Sequence, residues 1–406
     1  MKFYFPDSHD LVDPSFDFVT EQRSYNGSRQ LSQQYAHEAL EVPPYDGMLL
    51  SKAVVDGKNK STRYNFGQVR SLMDNGIHKF LRLEATSQRP KLEAMGDCGS
   101  FSFANEDEPP FTVDEVIDFY GQCHFDLGIS LDHVILGYQT DLSKEIPDDW
   151  RRRHQMTIEL ANEFKIKSKQ LENFTAMGAA QGWDPLSYRE SVEALQKMGY
   201  DYIAVGGLVP LKTREILDVL AEISTVRKSK TRIHLLGISR LECFEDFAKH
   251  GVASLDSTAP LKQAFMDDKN NYHTPDGAFT ALRIPQVDGN PQLKRNILAG
   301  RIDLSEALSM ERSCMSSVID FAKGVGRLDT AVKELKTYEA LWSGKKDDSD
   351  RYRHTLAARP WEKCPCSICR QLGVHVVIFR GADRNRRRGF HNLFVLHQKL
   401  SKLRPN

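Results

Sequence analysis

Short apolar runs that each stop at a small or polar residue recur through the middle of the chain, with amphipathic helical patterns between them. Residues 128–131 stop at Asp132, 176–180 at Gln181, 202–205 at Gly206, 233–236 at Gly237 and 253–255 at Asp256. Residues 80–83 read as a further strand of this kind. Successive markers from Asp132 lie 49, 25, 31 and 19 residues apart, which suits repeated strand–loop–helix units. Between them, 189–198 aligns Val192, Leu195 and Met198 on one face, and 213–223 aligns Ile216, Leu217, Leu220 and Ile223. Leu241, Phe244, Phe247 and Ala248 make a third such face. The alternation predicts an α/β fold, in its simplest form a (β/α)8 TIM-like barrel, with the markers at the C-terminal strand ends where such barrels carry their active sites.

Three of seven cysteines crowd into Cys364-Pro365-Cys366-Ser367-Ile368-Cys369. In a chain expected to be cytosolic, that spacing favours a metal over disulfides. Three thiolates and one imidazole close a tetrahedral zinc site with no position open to substrate, so the expected zinc is structural. His375, His391 and His397 all lie near enough in sequence to complete it. The organisation expected is therefore most of the barrel with its site over 1–260, a largely helical insertion over 261–360, and a zinc-binding subdomain with a basic end over 361–406. Within the insertion, 267–300 is rich in turns, and 305–321 and 328–342 are the strong helical segments.

Fifty-five basic residues balance fifty-five acidic ones, so net charge announces no polyanion partner. The charge is nonetheless polarised. The last 27 residues hold eight Lys/Arg against Asp383 alone, while the first 21 hold five acids and one Lys. No run approaches the roughly eighteen apolar residues of a membrane span. Charges in Met1-Lys2-Phe3-Tyr4-Phe5-Pro6-Asp7 stand where a signal peptide needs its apolar core, so a cytoplasmic location with no membrane partner is expected.

Asp97, Asp132 and Asp256 each follow an apolar stretch, Asp97 in the glycine-flanked turn Met95-Gly96-Asp97-Cys98-Gly99. Singly, each reads as a cap or turn residue. On a barrel, the three converge with Gln181 and the Gly206-Gly207 pair. Carboxylates without a catalytic metal can divide nucleophilic and acid/base roles, the logic of glycosyl transfer through a covalent intermediate. Asp and Gln acceptors with backbone donors also suit the edge of a purine.

These residues resemble the queuine/guanine transglycosylases, which exchange a guanine in a nucleic acid for a 7-deazaguanine. The resemblance covers roughly residues 65–260 and 360–400. Ala204-Val205-Gly206-Gly207-Leu208 is similar to the family's AVGGL loop, Asp97-Cys98-Gly99-Ser100-Phe101 to its DSGGF motif, and Leu235-Leu236-Gly237 to its LMG segment. Gln181-Gly182 matches the QG after a strand, and Leu255-Asp256 the FD pair. Cys364, Cys366 and Cys369 with His391-Asn392-Leu393 match the zinc site, a context that selects His391. The resemblance implies Asp256 as nucleophile on C1′, Asp97 as general acid and base, and Asp132 and Gln181 on the purine edge. It further implies backbone contacts from Gly206, Gly207 and Leu208, and an apolar face from Leu236.

Where tRNA enzymes follow the nucleophile with Pro-Thr-Arg, this chain has Ser257-Thr258-Ala259-Pro260, and 108 residues separate Asp256 from Cys364. These departures look like the DNA-guanine transglycosylases, which insert preQ0 into DNA. The expected partners are then DNA and free preQ0, and the residues leave open whether an ATP-using partner protein opens the duplex. The alternatives are the same enzyme acting on tRNA and a non-catalytic zinc-stabilised nucleic-acid-binding subunit. Arg386, Arg387 and Arg388 are expected to grip the nucleic-acid backbone.

Overall fold

The computed structural model describes residues 1–23, 32–56, 64–141, 143–344 and 346–403, so the last three residues of the basic end lie outside the described residues. Eight parallel strands close into a barrel in chain order. They are β1 (Lys2–Pro6), β2 (Gly47–Ser51), β3 (Glu93–Asp97), β4 (Leu127–Ile129), β5 (Thr175–Ala180), β6 (Tyr202–Val205), β7 (Arg232–Leu235) and β8 (Val252–Asp256). The closing seam pairs β1 with β8 through Lys2↔Ser254, Phe3↔Leu255 and Tyr4↔Asp256. The (β/α)8 expectation holds. One expected strand does not: 80–83 is the end of the helix Phe66–Phe80 and the turn after it, with Arg82 at φ 57°. Leu81 and Leu83 are buried there without any ladder. β3 lies further on, at Glu93–Asp97.

The barrel interior is filled by Tyr4, Leu49, Met95, Leu127, Ile129, Met177, Ala179, Tyr202 and Ala204. Inward residues two apart on β4, β5 and β6 follow the alternation of a pleated strand. Outside, Gly96 and Gly128 face each other across β3 and β4. A Cβ at either would sit 2.3 or 2.5 Å from the Tyr120 ring, so the two glycines make a shelf for that ring. Tyr120, from the helix Val113–Gln122, also donates its hydroxyl to the Ile129 carbonyl at 2.9 Å. This packing fixes the height of the two strands that lead to Asp97 and Asp132.

The chain divides into two compact units: Met1–His9 with Tyr45–Thr258 and Lys399–Asn406, and Asp10–Pro44 with Ala259–Gln398. Most of the expected insertion and cysteine region thus share one unit, which also takes in Asp10–Pro44. Its long helices, Leu304–Ala322 and Leu328–Ser343, fall where helical patterns were expected. The turn-rich stretch holds the hairpin of Tyr272–Thr274 and Gly277–Phe279. Among the described residues no helix is long and apolar enough to cross a membrane.

The arginine run requires a correction. Arg386, Arg387 and Arg388 stand on the helix Gly381–Lys402, where consecutive residues point about 100° apart and cannot share one outward face. Arg388 is fully buried, and all five of its N–H groups are used, on the carbonyls of Ala264, Val376 and Ile378 and on Asn385 Oδ1. Arg387 is buried too, donating to Asp383 at 3.0 Å and to the Asp13 carbonyl. Arg386 lies 3.5 Å from Asp10. The run braces its own unit from inside and offers no shared grip on phosphates.

Candidate active site

At the C-terminal end of the barrel, a cavity of about 200 Å³ is lined by Asp97, Gln181, Gly206, Gly207, Leu236 and Asp256, with Ser51, Val134 and Phe101 among its other walls. Strand ends from across the barrel deliver these side chains to one place. Asp97 ends β3, and its Oδ2 accepts hydrogen bonds from Ser51 Oγ at 2.8 Å and the Gly99 N–H at 3.0 Å. Burial, and then the nearby charge of Asp132, push its carboxyl up to about 7. At neutral pH the Asp97 carboxyl is therefore divided between its protonated and ionised forms.

Asp132 sits behind this wall, almost fully buried, and burial raises its carboxyl as well. It accepts from Cys98 Sγ at 2.9 Å and from Gln181 Nε2 at 2.6 Å. Burial pushes the Cys98 thiol well up, so it stays a protonated donor. Gln181 Oε1 accepts from the Ile135 N–H at 3.3 Å, so the carboxamide is held from both sides. The glycine pair belongs to this packing. A Cβ at Gly206 would lie 2.3 Å from Gln181 Nε2. Gly207 adopts φ 72°, a left-handed conformation that glycine takes without steric cost. Leu208 is fully buried in the loop that follows and is not among the residues lining the cavity.

Asp256 ends β8, and its Oδ1 receives two hydrogen bonds, from the Gly237 N–H at 3.0 Å and from His234 Nε2 at 3.2 Å. Its Oδ2 has no hydrogen-bond partner among the described residues, and the side chain borders the cavity. A carboxylate held through one oxygen keeps the other available for bond formation. His234 was not among the residues expected from the sequence. The signal that could have found it is a polar residue at the centre of a strand whose neighbours Ile233 and Leu235 are both buried.

The second unit carries the cysteine cluster. The Nδ1 of His391 lies 3.4, 3.6 and 3.3 Å from the sulfurs of Cys364, Cys366 and Cys369, and the four ligand atoms lie within 4.8 Å of one another. A tetrahedral zinc with bonds of about 2.0 Å to nitrogen and 2.3 Å to sulfur sets its ligands roughly 3.5 Å apart, so the group fits. His391 Nε2 donates to the His273 carbonyl at 2.8 Å, which turns the Nδ1 lone pair toward the sulfurs. His375 and His397 are not part of the group.

No family model matches the chain. A DNA-guanine transglycosylase of Salmonella montevideo is 48% identical over 408 residues, covering 98% of this chain and 96% of that protein. A tRNA-guanine(15) transglycosylase of Nanoarchaeum equitans (strain Kin4-M) is 24% identical over 159 residues, covering 39% of this chain and 34% of its own length. A closed parallel barrel and near-half identity along almost all of both proteins lead to one conclusion: the chain belongs to the DNA-guanine transglycosylase family.

Proposed function

We propose that the chain is a pentosyltransferase that exchanges guanine in DNA for the 7-deazaguanine base preQ0, in the cytoplasm, through a covalent glycosyl-aspartate. The observation that carries this reading is the contrast between two carboxylates over one cavity: Asp256 with an open Oδ2, and Asp97 with a proton to give near pH 7. In the first step Asp256 Oδ2 attacks C1′, the C1′–N9 bond breaks, and Asp97 delivers a proton to the departing guanine. In the second, Asp97 takes the proton of the incoming base as its nitrogen attacks C1′ and releases Asp256. Gln181, backed by Asp132, faces the purine edge, Gly206 and Gly207 leave room for it, and Leu236 offers an apolar wall. Leu208 supports its loop from beneath.

Zinc is the metal that suits the cysteine cluster, held by Cys364, Cys366, Cys369 and His391, where it cross-links the second unit and supplies no reaction step. Lifting a guanine from a duplex costs a few kcal/mol. That is the step at which an ATP-using partner would act. The test is nucleoside mass spectrometry of DNA and tRNA from cells carrying the gene with its neighbours, against an Asp256→Ala strain. A modified deoxynucleoside that vanishes with the mutation supports the proposal, whereas loss confined to a tRNA nucleoside overturns DNA as the substrate.

A further inference from the structure

We propose that His234 is a positioning residue for Asp256: it selects the oxygen that attacks C1′ and helps the same carboxylate to leave again. The inference rests on the reading of Asp256 as the nucleophile. His234 lies on β7 in register with Ala204 of β6 and Ser254 of β8, inside the barrel. His234 and Ser254 are fully buried and Tyr202 nearly so. Ser254 Oγ lies 2.6 Å from His234 Nδ1 and is also hydrogen-bonded to Tyr202 Oη. An unbroken chain thus runs from Tyr202 through Ser254 and His234 to Asp256.

The direction of that chain follows from its end. An ionised carboxylate only accepts hydrogen bonds, so His234 Nε2 carries a hydrogen, and in the neutral ring Nδ1 is then the acceptor. Ser254 must spend its one hydrogen on Nδ1 and accept from Tyr202. Every polar atom in the chain is satisfied in this arrangement alone, which locks one tautomer against Asp256. With the Gly237 N–H, His234 makes a two-donor cradle on Oδ1, leaving Oδ2 to react.

The cradle acts differently in the two steps. When Oδ2 bonds to C1′ and the C1′–N9 electron pair leaves with guanine, the carboxylate charge is consumed and Oδ1 becomes an ester carbonyl. When the incoming base attacks C1′, the C1′–Oδ2 pair returns to Asp256 and negative charge develops again. Two preorganised donors stabilise that returning charge, so they favour the second step most. A nucleophile that must also be a leaving group gains from such support.

The full chain is assayed for exchange of radiolabelled guanine into plasmid DNA and for SDS-stable protein–DNA adduct, as wild type, Ser254→Ala, His234→Phe, His234→Gln and Asp256→Ala. Ser254→Ala and His234→Phe are expected to lower kcat about ten- to hundredfold, the range of one hydrogen bond to a charged group, with KM for DNA unchanged. Their adduct fraction should rise, because release of the sugar is slowed more than its capture. His234→Gln, whose amide can replace Nε2–H, should stay within about threefold of wild type, and NMR of isotope-labelled histidine should show the Nε2–H tautomer. Unchanged kcat in Ser254→Ala and His234→Phe, adduct that falls in step with kcat, or the Nδ1–H tautomer would each overturn the role of His234. Absence of adduct in the wild type, or its persistence in Asp256→Ala, instead overturns the reading of Asp256 as nucleophile.

Discussion

Replacing Asp97 with Asn should stabilise the folded chain while stopping its chemistry. Burial first and Asp132 second lift the Asp97 carboxyl from 3.8 to about 7, against the pull of the Ser51 and Gly99 hydrogen bonds. A folded-state value above the unfolded one means that the native chain holds this proton more tightly. The contribution to stability is therefore complete below pH 3.8 and is lost as pH rises through 7. Fully ionised, the group costs on the order of 4 kcal/mol. Asn never ionises, and its Oδ1 can take the place of Asp97 Oδ2, on which both hydrogen bonds converge. The stability gap between Asp97→Asn and wild type should widen by about 2–3 kcal/mol between pH 5 and pH 8. Urea titrations at both pH values, followed through Trp150 and Trp183 of the barrel unit, measure that gap. A gap that does not change with pH, or a variant less stable than wild type at pH 8, would refute the argument that Asp97 is held neutral against its environment.

The same proton sets the rate profile: exchange limited by protonation of departing guanine should fall as pH rises above about 7, and steady-state rates across pH 6–9 check it. Gly207→Ala forces a Cβ to within 2.6 Å of the Ile135 carbonyl at φ 72°, and should cost about 1–3 kcal/mol in thermal unfolding along with most of the activity. Metal analysis should find one zinc per chain, lost in Cys366→Ser and retained in His375→Ala. Arg388→Ala strands three buried carbonyls and should destabilise the chain by roughly 3 kcal/mol or more. A phosphate contact would show itself differently, by lowering the salt dependence of DNA binding.

The strands of the second half of the barrel were readable because each is a compact apolar run stopped by a residue of another kind. Strand β3, Glu-Ala-Met-Gly-Asp, has only the short stretch Ala-Met-Gly before Asp97, since its packing comes from small residues that admit Tyr120. Residues 80–83 have a strand's composition but close a helix. The same distinction holds at the site. Asp97, Gln181 and Asp256 stand at strand ends, where one-dimensional spacing exposes them. His234 stands inside a strand, and only barrel closure brings it beside Ser254 and Asp256. Counting charges could not show that Arg388 turns inward, because burial of a guanidinium depends on carbonyls 10 to 124 residues away. Nor could composition choose among three histidines for the cluster: of these, His391 is the one whose ring nitrogen lies among the three sulfurs, and its hydrogen bond to the His273 carbonyl aims it there.

The seam between β1 and β8 has a consequence for how the protein is born. Tyr4 leaves the ribosome about 250 residues ahead of Asp256, its register partner. At about 5–20 residues per second, the first strand waits roughly 12–50 s on the ribosome side of synthesis before its neighbour exists. During that interval β1 is an unmatched edge, open to the wrong partner and a natural client for a chaperone. Asp256 arrives on the strand that ends the wait, so the cavity at the strand ends is complete only when the ring is whole.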